Sequence, residues 1–228
     1  MKRSEINLFL DQAIDFFEAH EFALPPFACW TPNTWRKKGA EADEIRNCRL
    51  GWDITDFNSG NFLSCGLALF TLRNGRLGDG SPGYAEKIMM VRENQVTPLH
   101  YHYRKTEDII NRGTVFMCEL VVQLYNSEED GALATTPVDV RCDGMLRRTE
   151  AGGVITLKPG ESITLPPGVY HTFHAIHGTA LIGEVSSFND DAHDNHFYRG
   201  LPRFPEIIED EPPLRLLCTE YPQSQGST

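Results

Sequence analysis

From residue 51 onward the sequence is a series of short runs of β-branched and aromatic residues, and Gly, Asn, Asp and Pro separate each run from the next. Closely spaced runs of this kind, without helical patterns between them, are typical of an antiparallel sandwich or barrel. We therefore predict a mainly β fold. The predicted strands span residues 66–73, 84–92, 95–103, 115–125, 138–142, 153–157, 162–165, 170–176 and 180–186.

The first 50 residues follow a different pattern. Apolar residues recur near helical spacing over residues 4–19, which predicts an amphipathic helix with Ser4 as its N-cap. A second helix is predicted over residues 33–47, with Asn33 or Thr34 as its cap. The N-terminal part is therefore expected to be helical.

Neither an internal repeat nor a linker divides the chain, so we expect a single domain. Within it, residues 1–50 form a helical extension packed on a barrel, and residues 51–228 form that barrel and an acidic C-terminal tail. The last residues, 223–228, are predicted to be disordered. A chain of 228 residues, 40% of them hydrophobic, is long enough to bury one sizeable core.

The net charge limits the possible partners. The 21 basic and 32 acidic residues give a formal charge of −11. This charge argues against nucleic acid and anionic membranes, because both bind clustered Lys and Arg. The six cysteines form no C-x-x-C pair, and neither a signal peptide nor a membrane-spanning apolar segment is visible. We therefore expect a reduced, cytoplasmic protein.

Two segments about 70 residues apart contain a candidate metal site. His100 and His102 are two positions apart, a spacing that points both imidazoles to the same face of a strand. Glu107 follows closely enough to fold its carboxylate back onto the same centre, and His171 comes directly after a tight turn that ends at Gly168. An isolated H-x-H pair is as often structural as metal-binding. Four ligands of suitable chemistry predict one divalent metal with open coordination positions.

These two segments match the patterns H-x-H-x4-E-x5-G and G-x5-P-x-G-x2-H, and over residues 84–186 the sequence resembles the cupin family. The resemblance implies a jelly-roll barrel with one metal on His100, His102, Glu107 and His171. This ligand set suits Mn²⁺, Zn²⁺, Co²⁺, Ni²⁺ or Fe²⁺. Cupins include oxygenases, isomerases, epimerases, decarboxylases and non-enzymes, so the fold alone does not identify the reaction.

Further segments narrow the resemblance to the D-lyxose isomerase branch of the cupins, and they lie at residues 24–27, 50–53, 84–89, 100–113 and 183–197. This resemblance implies a manganese-dependent aldose–ketose isomerase that interconverts D-lyxose and D-xylulose, and usually D-mannose and D-fructose. It also implies a homodimer.

The residues around the predicted metal suit this chemistry. Moving a proton between C1 and C2 of an open-chain sugar requires a base, an electrophile for the carbonyl and donors for the hydroxyls. Glu184, inside a predicted strand, is the candidate base, and Glu107 is the alternative if it leaves the metal transiently. Lys105 and Lys87 are candidates for stabilising the developing enediolate oxygen.

The segment 189–195 is too polar for the core and is a candidate rim that binds sugar hydroxyls. Asp191 and Asp194 are its candidate substrate-binding residues, and Arg199 is a candidate for closing the site. The alternative for this segment is a solvated acidic loop.

Three functions are compatible with the sequence. The first is an aldose–ketose isomerase acting through a cis-enediol, or else by a metal-assisted hydride shift. The second is a cupin Fe(II) dioxygenase, which requires dioxygen. The third is a sugar-binding module without catalysis.

Overall fold

The structure, a computed structural model, describes residues 1–75, 83–113 and 118–224. Its helices are α1 (Arg3–Ala19), α2 (Pro32–Trp35) and α3 (Asp43–Asn47), with 3-10 turns at Pro26–Cys29 and Ala40–Ala42. The strands are β1 (Gly51–Thr55), β2 (Leu67–Arg73), β3 (Tyr84–Val91), β4 (His100–His102), β5 (Glu107–Asn111), β6 (Glu119–Asn126), β7 (Val138–Cys142), β8 (Met145–Thr149), β9 (Val154–Leu157), β10 (Ser162–Leu165), β11 (Val169–Ile176), β12 (Ala180–Ser187) and β13 (Asn195–Phe197).

These strands form two antiparallel sheets. The larger sheet has the order β1-β2-β3-β12-β5-β10-β7-β8, and the smaller has the order β13-β4-β11-β6-β9. The main core contains residues of both sheets, among them Met89 and Ile182 from the larger sheet and Val122 and Phe173 from the smaller. The prediction of a mainly β fold is confirmed.

Helix α1 covers the outer face of the larger sheet. Strand alternation explains this second layer, because Leu67 and Leu69 of β2 belong to the main core while Ala68 and Phe70 belong to a separate cluster with α1. Five apolar residues of α1 lie in that cluster at helical spacing, namely Ile6, Phe9, Leu10, Ala13 and Phe17. No helix in the described residues is long and apolar enough to cross a membrane.

The C-terminal segment runs back along α1. The buried guanidinium of Arg3 forms ion pairs with Glu209 and Glu220, at 2.7 Å for Glu209. Ser4 does not cap the helix as predicted, because its backbone N–H and hydroxyl both donate to the carboxylate of Asp210. Lys2 occupies the N-cap position instead. The Ser4 hydroxyl, which the sequence pattern predicted to cap the helix, therefore binds the C-terminal segment instead.

The predicted helix 33–47 was wrong in its middle. The chain forms α2 and α3 with a break between them, where the Arg46 guanidinium donates to the carbonyls of Lys38 and Gly39, both at 2.8 Å. These bonds satisfy carbonyl groups that a continuous helix would satisfy internally.

The predicted strand 95–103 is shortened to β4, because Pro98 has no N–H for a ladder bond. In the predicted strand 115–125, residues 115–117 lie outside the described residues, as do residues 225–228 of the tail predicted to be disordered. The sequence did not predict β1, β5, β8 or β13.

Candidate active site

The candidate functional side chains gather between the two sheets because of strand alternation. In β11, His171 shares its face with the core residues Phe173 and Ala175, and in β12, Glu184 shares its face with Ile182. Each strand thus contributes apolar residues to the core and a polar one to the site. The same pairing recurs for Lys87 and Met89 in β3 and for Glu107 and Ile109 in β5.

Three imidazoles converge at this site. His100, His102 and His171 each offer one nitrogen, and these nitrogens lie within 4.8 Å of one another. Nδ1 of His100 donates to the carbonyl of Pro98 at 2.8 Å, and Nδ1 of His171 donates to that of Val169 at 3.1 Å. In these two rings Nε2 therefore carries the lone pair and is available as a metal ligand.

A tight turn in the second motif segment is hydrogen-bonded to the first segment. Gly168 has a φ of +79°, a left-handed conformation that glycine adopts without steric cost. Its N–H donates to the carbonyl of His102 at 2.9 Å. The turn therefore fixes the start of β11, and with it His171, relative to β4.

Glu107 follows closely on His102 in the sequence, as expected of a ligand to the same centre, but it approaches the imidazoles from the opposite sheet, as the first residue of β5. Its Oε1 lies 2.9 Å from Nε2 of His171, and its Oε2 lies 3.3 Å from Nε2 of His102. Both imidazole nitrogens are buried without a hydrogen-bond partner. Buried nitrogens that face a carboxylate without such a bond fit a cation between them.

The protonation states also suit a metal. Burial lowers the pKa of His100 and His102, and the charge of Lys105 lowers that of His102 further, so both rings are neutral at pH 7. Burial raises the pKa of Glu107, but Lys105 and His102 lower it more, so the net pKa lies well below its usual value. Neutral imidazoles and an ionised carboxylate are the forms that bind a divalent ion.

Lys105 links Glu107 to Glu184. Its Nζ lies 2.6 Å from Oε2 of Glu107 and 2.9 Å from Oε1 of Glu184, and all three residues are buried. Burial lowers the pKa of Lys105, but Glu107 and Glu184 raise it more, so the ammonium stays charged. A buried cation with two carboxylate partners is therefore fixed next to the imidazoles.

Lys87 contacts the same oxygen of Glu184 from the neighbouring strand. Lys87 and Glu184 are direct cross-strand partners of β3 and β12, and Nζ lies 3.3 Å from Oε1. The same ammonium donates to Oδ1 of Asn189 at 2.8 Å and lies 3.5 Å from Asp191. Glu184 therefore lies between two lysines, each of which has a second acidic partner.

The other predicted substrate residues lie in different places. Asp191 lines the site, and burial raises its pKa while Lys87 and Arg203 lower it more, so its net pKa is low. Asp194 instead accepts from the backbone N–H groups of Arg104 and Lys105, both at 2.9 Å, and thereby holds the Lys105 backbone. Arg199 is exposed and does not line the cavity, because it lies in the turn that follows β13.

Sequence reasoning missed Arg203 and Asp53. Nη2 of Arg203 lies 2.5 Å from Oδ2 of Asp53, and the guanidinium packs over the rings of Phe57 and Phe204. Burial raises the pKa of Asp53, and Arg203 offsets part of this effect. The one signal in the sequence was that Asp53 ends a segment carrying the family resemblance, whereas Arg203 lies in a Pro-rich tail.

One cavity is lined by the three imidazoles and by six charged residues, namely Glu107, Lys105, Lys87, Glu184, Asp191 and Arg203. The space free of protein atoms in it amounts to about 450 Å³, a figure that includes its open mouth. Apolar walls alternate with the charged groups described above, and the apolar part comprises Phe57, Leu67, Leu69, Met89, Ile109, Phe173 and Phe197. The arrangement can hold a small polar molecule beside a metal position and a buried carboxylate.

A family model described as D-lyxose isomerase matches residues 1–221. The chain belongs to the D-lyxose isomerase family. A D-lyxose/D-mannose isomerase from Escherichia coli O157:H7 is 49% identical over 229 residues, which cover 98% of this chain and 99% of that relative. A D-lyxose/D-mannose isomerase from Serratia proteamaculans is 48% identical over 227 residues, which cover 97% of this chain and 98% of that relative. The chain is therefore a sugar isomerase of the aldose–ketose type.

A solved structure supports the fold independently. The L-ribose isomerase of Cellulomonas parahominis, solved with L-ribose, superposes with a TM-score of 0.56 and 18% identity, over 91% of this chain and 98% of that chain. The predicted cupin-type barrel with an N-terminal helix is confirmed. At this identity the likeness concerns the fold alone.

Proposed function

We propose that this isomerase interconverts D-lyxose and D-xylulose, and also D-mannose and D-fructose. It uses one divalent metal per chain, for which Mn²⁺ is our first candidate. The proposed ligands are His100, His102, His171 and Glu107. The D-lyxose/D-mannose isomerases that share about half of its sequence support the substrates, and the buried nitrogens facing Glu107 support the metal. When bound, the metal would polarise the sugar carbonyl and hold two neighbouring oxygens.

The observation that carries the proposed mechanism is the position of Glu184 between Lys87 and Lys105. Both ammonium groups contact Oε1 of this buried carboxylate, at 3.3 Å for Lys87 and 2.9 Å for Lys105. Glu184 takes the proton from C2 of the open-chain aldose and returns it to C1, while a proton moves from O2 to O1 to complete the ketose. The transfer passes through a cis-enediol.

Lys105 and Lys87 have a second task in this mechanism. Negative charge develops on the sugar oxygens when C2 loses its proton, and a fixed, buried ammonium within reach stabilises that charge. Glu107 is a weaker candidate for the base, because Lys105 and two imidazoles already surround its carboxylate. We therefore assign Glu107 to the metal and Glu184 to the proton. A homodimer in the cytoplasm remains part of the proposal.

The decisive experiment measures ketose formation from a panel of pentoses and hexoses in D₂O, under strict anaerobiosis, with Mn²⁺-loaded protein. We expect D-xylulose from D-lyxose, with solvent deuterium at C1 of the product. Complete retention of the substrate hydrogen contradicts the base and supports a hydride shift. A requirement for dioxygen indicates a dioxygenase, and absence of turnover on every sugar indicates a binding module.

A further inference from the structure

Arg203 is a cavity-lining residue that the proposed mechanism does not use. Its side chain is 10% exposed, and it reaches the cavity from the segment that follows β13. Asp53 binds one terminal nitrogen at 2.5 Å, and Oδ1 of Asp191 lies 3.8 Å from Nε. The rings of Phe57 and Phe204 pack against the guanidinium. The plane of the guanidinium is therefore fixed.

The second terminal nitrogen, Nη1, is buried and has no hydrogen-bond partner among the described residues. An unpaired buried donor on a charged group is costly, and folded proteins satisfy most such donors. Of the five guanidinium N–H groups, the described residues accept a hydrogen bond from one, on Nη2. A fixed, unpaired donor in a residue that lines a cavity is the pattern expected where a ligand oxygen binds.

Two aromatic rings, those of Phe197 and Phe57, lie between His100 and Arg203 along one wall of the cavity. The ring of Phe197 stacks on His100, with ring centroids 5.3 Å apart. The ring centroid of Phe57 lies 5.6 Å from that of Phe197, and the guanidinium carbon of Arg203 lies 5.8 Å from the Phe57 centroid. On the other wall Lys87 separates Glu184 from Asp191, the neighbour of Arg203. A sugar whose C1 and C2 lie at Glu184 therefore extends its far end towards Arg203.

We propose that Nη1 of Arg203 donates to the terminal hydroxyl of the open-chain sugar, and that Asp53 and Asp191 act as positioning residues for this guanidinium. The inference rests on the proposed function, because it places C1 and C2 of the sugar at Glu184. It makes Arg203 a specificity-determining residue. The site thereby selects for sugars that carry a hydroxyl at the carbon farthest from the carbonyl.

The test uses two open-chain polyols that bind without reacting: D-lyxitol, the reduction product of D-lyxose, and its analogue without the 5-hydroxyl. Calorimetry on Mn²⁺-loaded protein gives the affinity of each polyol for wild type and for Arg203→Lys. The lysine keeps a cation for Asp53 and Asp191 but lacks the forked second donor. Arg215→Lys is the matched control, because Arg215 also lies in the C-terminal segment but pairs with Asp11 outside the cavity.

We expect wild type to bind D-lyxitol about 10- to 100-fold more tightly than the 5-deoxy analogue, which is the range of a hydrogen bond to a charged group. Arg203→Lys should lose a similar factor for D-lyxitol and discriminate between the two polyols by less than about threefold. Arg215→Lys should behave as wild type.

If Arg203 has only a structural role, Arg203→Lys should lower the affinity for both polyols by the same factor, and that result overturns the inference. Equal affinity of wild type for the two polyols, or no binding of either, overturns it as well. Turnover of D-lyxose by wild type is measured separately. If the preference for D-lyxitol depends on Arg203 but wild type does not turn over D-lyxose, the proposed reaction is wrong and Arg203 still binds the hydroxyl. If wild type turns over D-lyxose but the preference does not depend on Arg203, only the role of Arg203 is wrong.

Discussion

Replacing Glu184 by Gln removes one negative charge from the cavity and keeps the size of the side chain. The two lysines that contact Glu184 retain other partners, since Lys105 still lies 2.6 Å from Glu107 and Lys87 still lies 3.5 Å from Asp191. No buried ammonium is therefore left without a carboxylate. We expect the variant to fold, with the free energy of unfolding reduced by about 1.5–3 kcal/mol, the value for a lost hydrogen bond to a charged group.

The effect on the activation free energy should exceed the effect on the free energy of unfolding. A positioned general base contributes roughly 10²- to 10⁴-fold to a proton transfer. This factor corresponds to about 2.7–5.5 kcal/mol of activation free energy. The amide of Glu184→Gln cannot accept the C2 proton, so kcat should fall by that factor, and exchange of the C2 hydrogen with solvent should fall in parallel.

The assay combines kcat for D-lyxose, deuterium uptake at C2, and metal content per chain. Glu86→Gln is the matched control, because Glu86 lies next to Lys87 in β3 but is 40% exposed and pairs with Arg73 on the surface. It should change kcat by less than about twofold. If Glu184→Gln folds, keeps its metal and retains more than a third of the wild-type kcat, Glu184 is not the base.

Three further predictions concern the metal and the C-terminal segment. His171→Ala should lose bound metal and turnover together while near-UV circular dichroism stays native, and full activity in this variant would contradict the metal assignment. Arg3→Met should lower the free energy of unfolding in urea by about 1–3 kcal/mol without changing kcat/KM; the loss stays below that of a fully buried pair because Glu209 is 58% exposed. Hydrogen bonds from the backbone and side chain of Ser4 lower the pKa of Asp210, so this carboxylate stabilises the fold above about pH 4 and the effect is lost as the pH falls through the lowered pKa. Asp210→Asn should accordingly weaken the pH dependence of unfolding between pH 5 and pH 3, and an unchanged profile would argue against this contribution.

Strands with apolar residues at every second position were predictable from the sequence. β7 and β10 have the predicted bounds, Val138–Cys142 and Ser162–Leu165, because turn residues close them on both sides. β5 was missed because it begins with two carboxylates, Glu107 and Asp108, and its sequence lacks the alternation of apolar and polar residues that predicts a strand. The buried position of Glu107 is tolerable only through its partner Lys105, and such a pairing is a tertiary feature that local sequence does not reveal.

The candidate site divides in the same way. The spacing of His100 and His102 is local, so a strand assignment was enough to predict a shared face. Arg203 and Asp53 are 150 positions apart and meet only in the folded chain. Asp194 shows the opposite difficulty, since its polar surroundings suggested a sugar ligand, whereas its carboxylate is used to hold backbone amides.

The proposed metal ligands come from both sheets, with the three imidazoles in the smaller sheet and Glu107 in the larger. An ion held by all four would act as a cross-link between the halves of the sandwich, in addition to any part in the reaction. Its binding free energy would then contribute to folding through mass action. The melting temperature of such a protein depends on how much free metal its surroundings supply, so the cofactor and the thermal stability would be adjusted together.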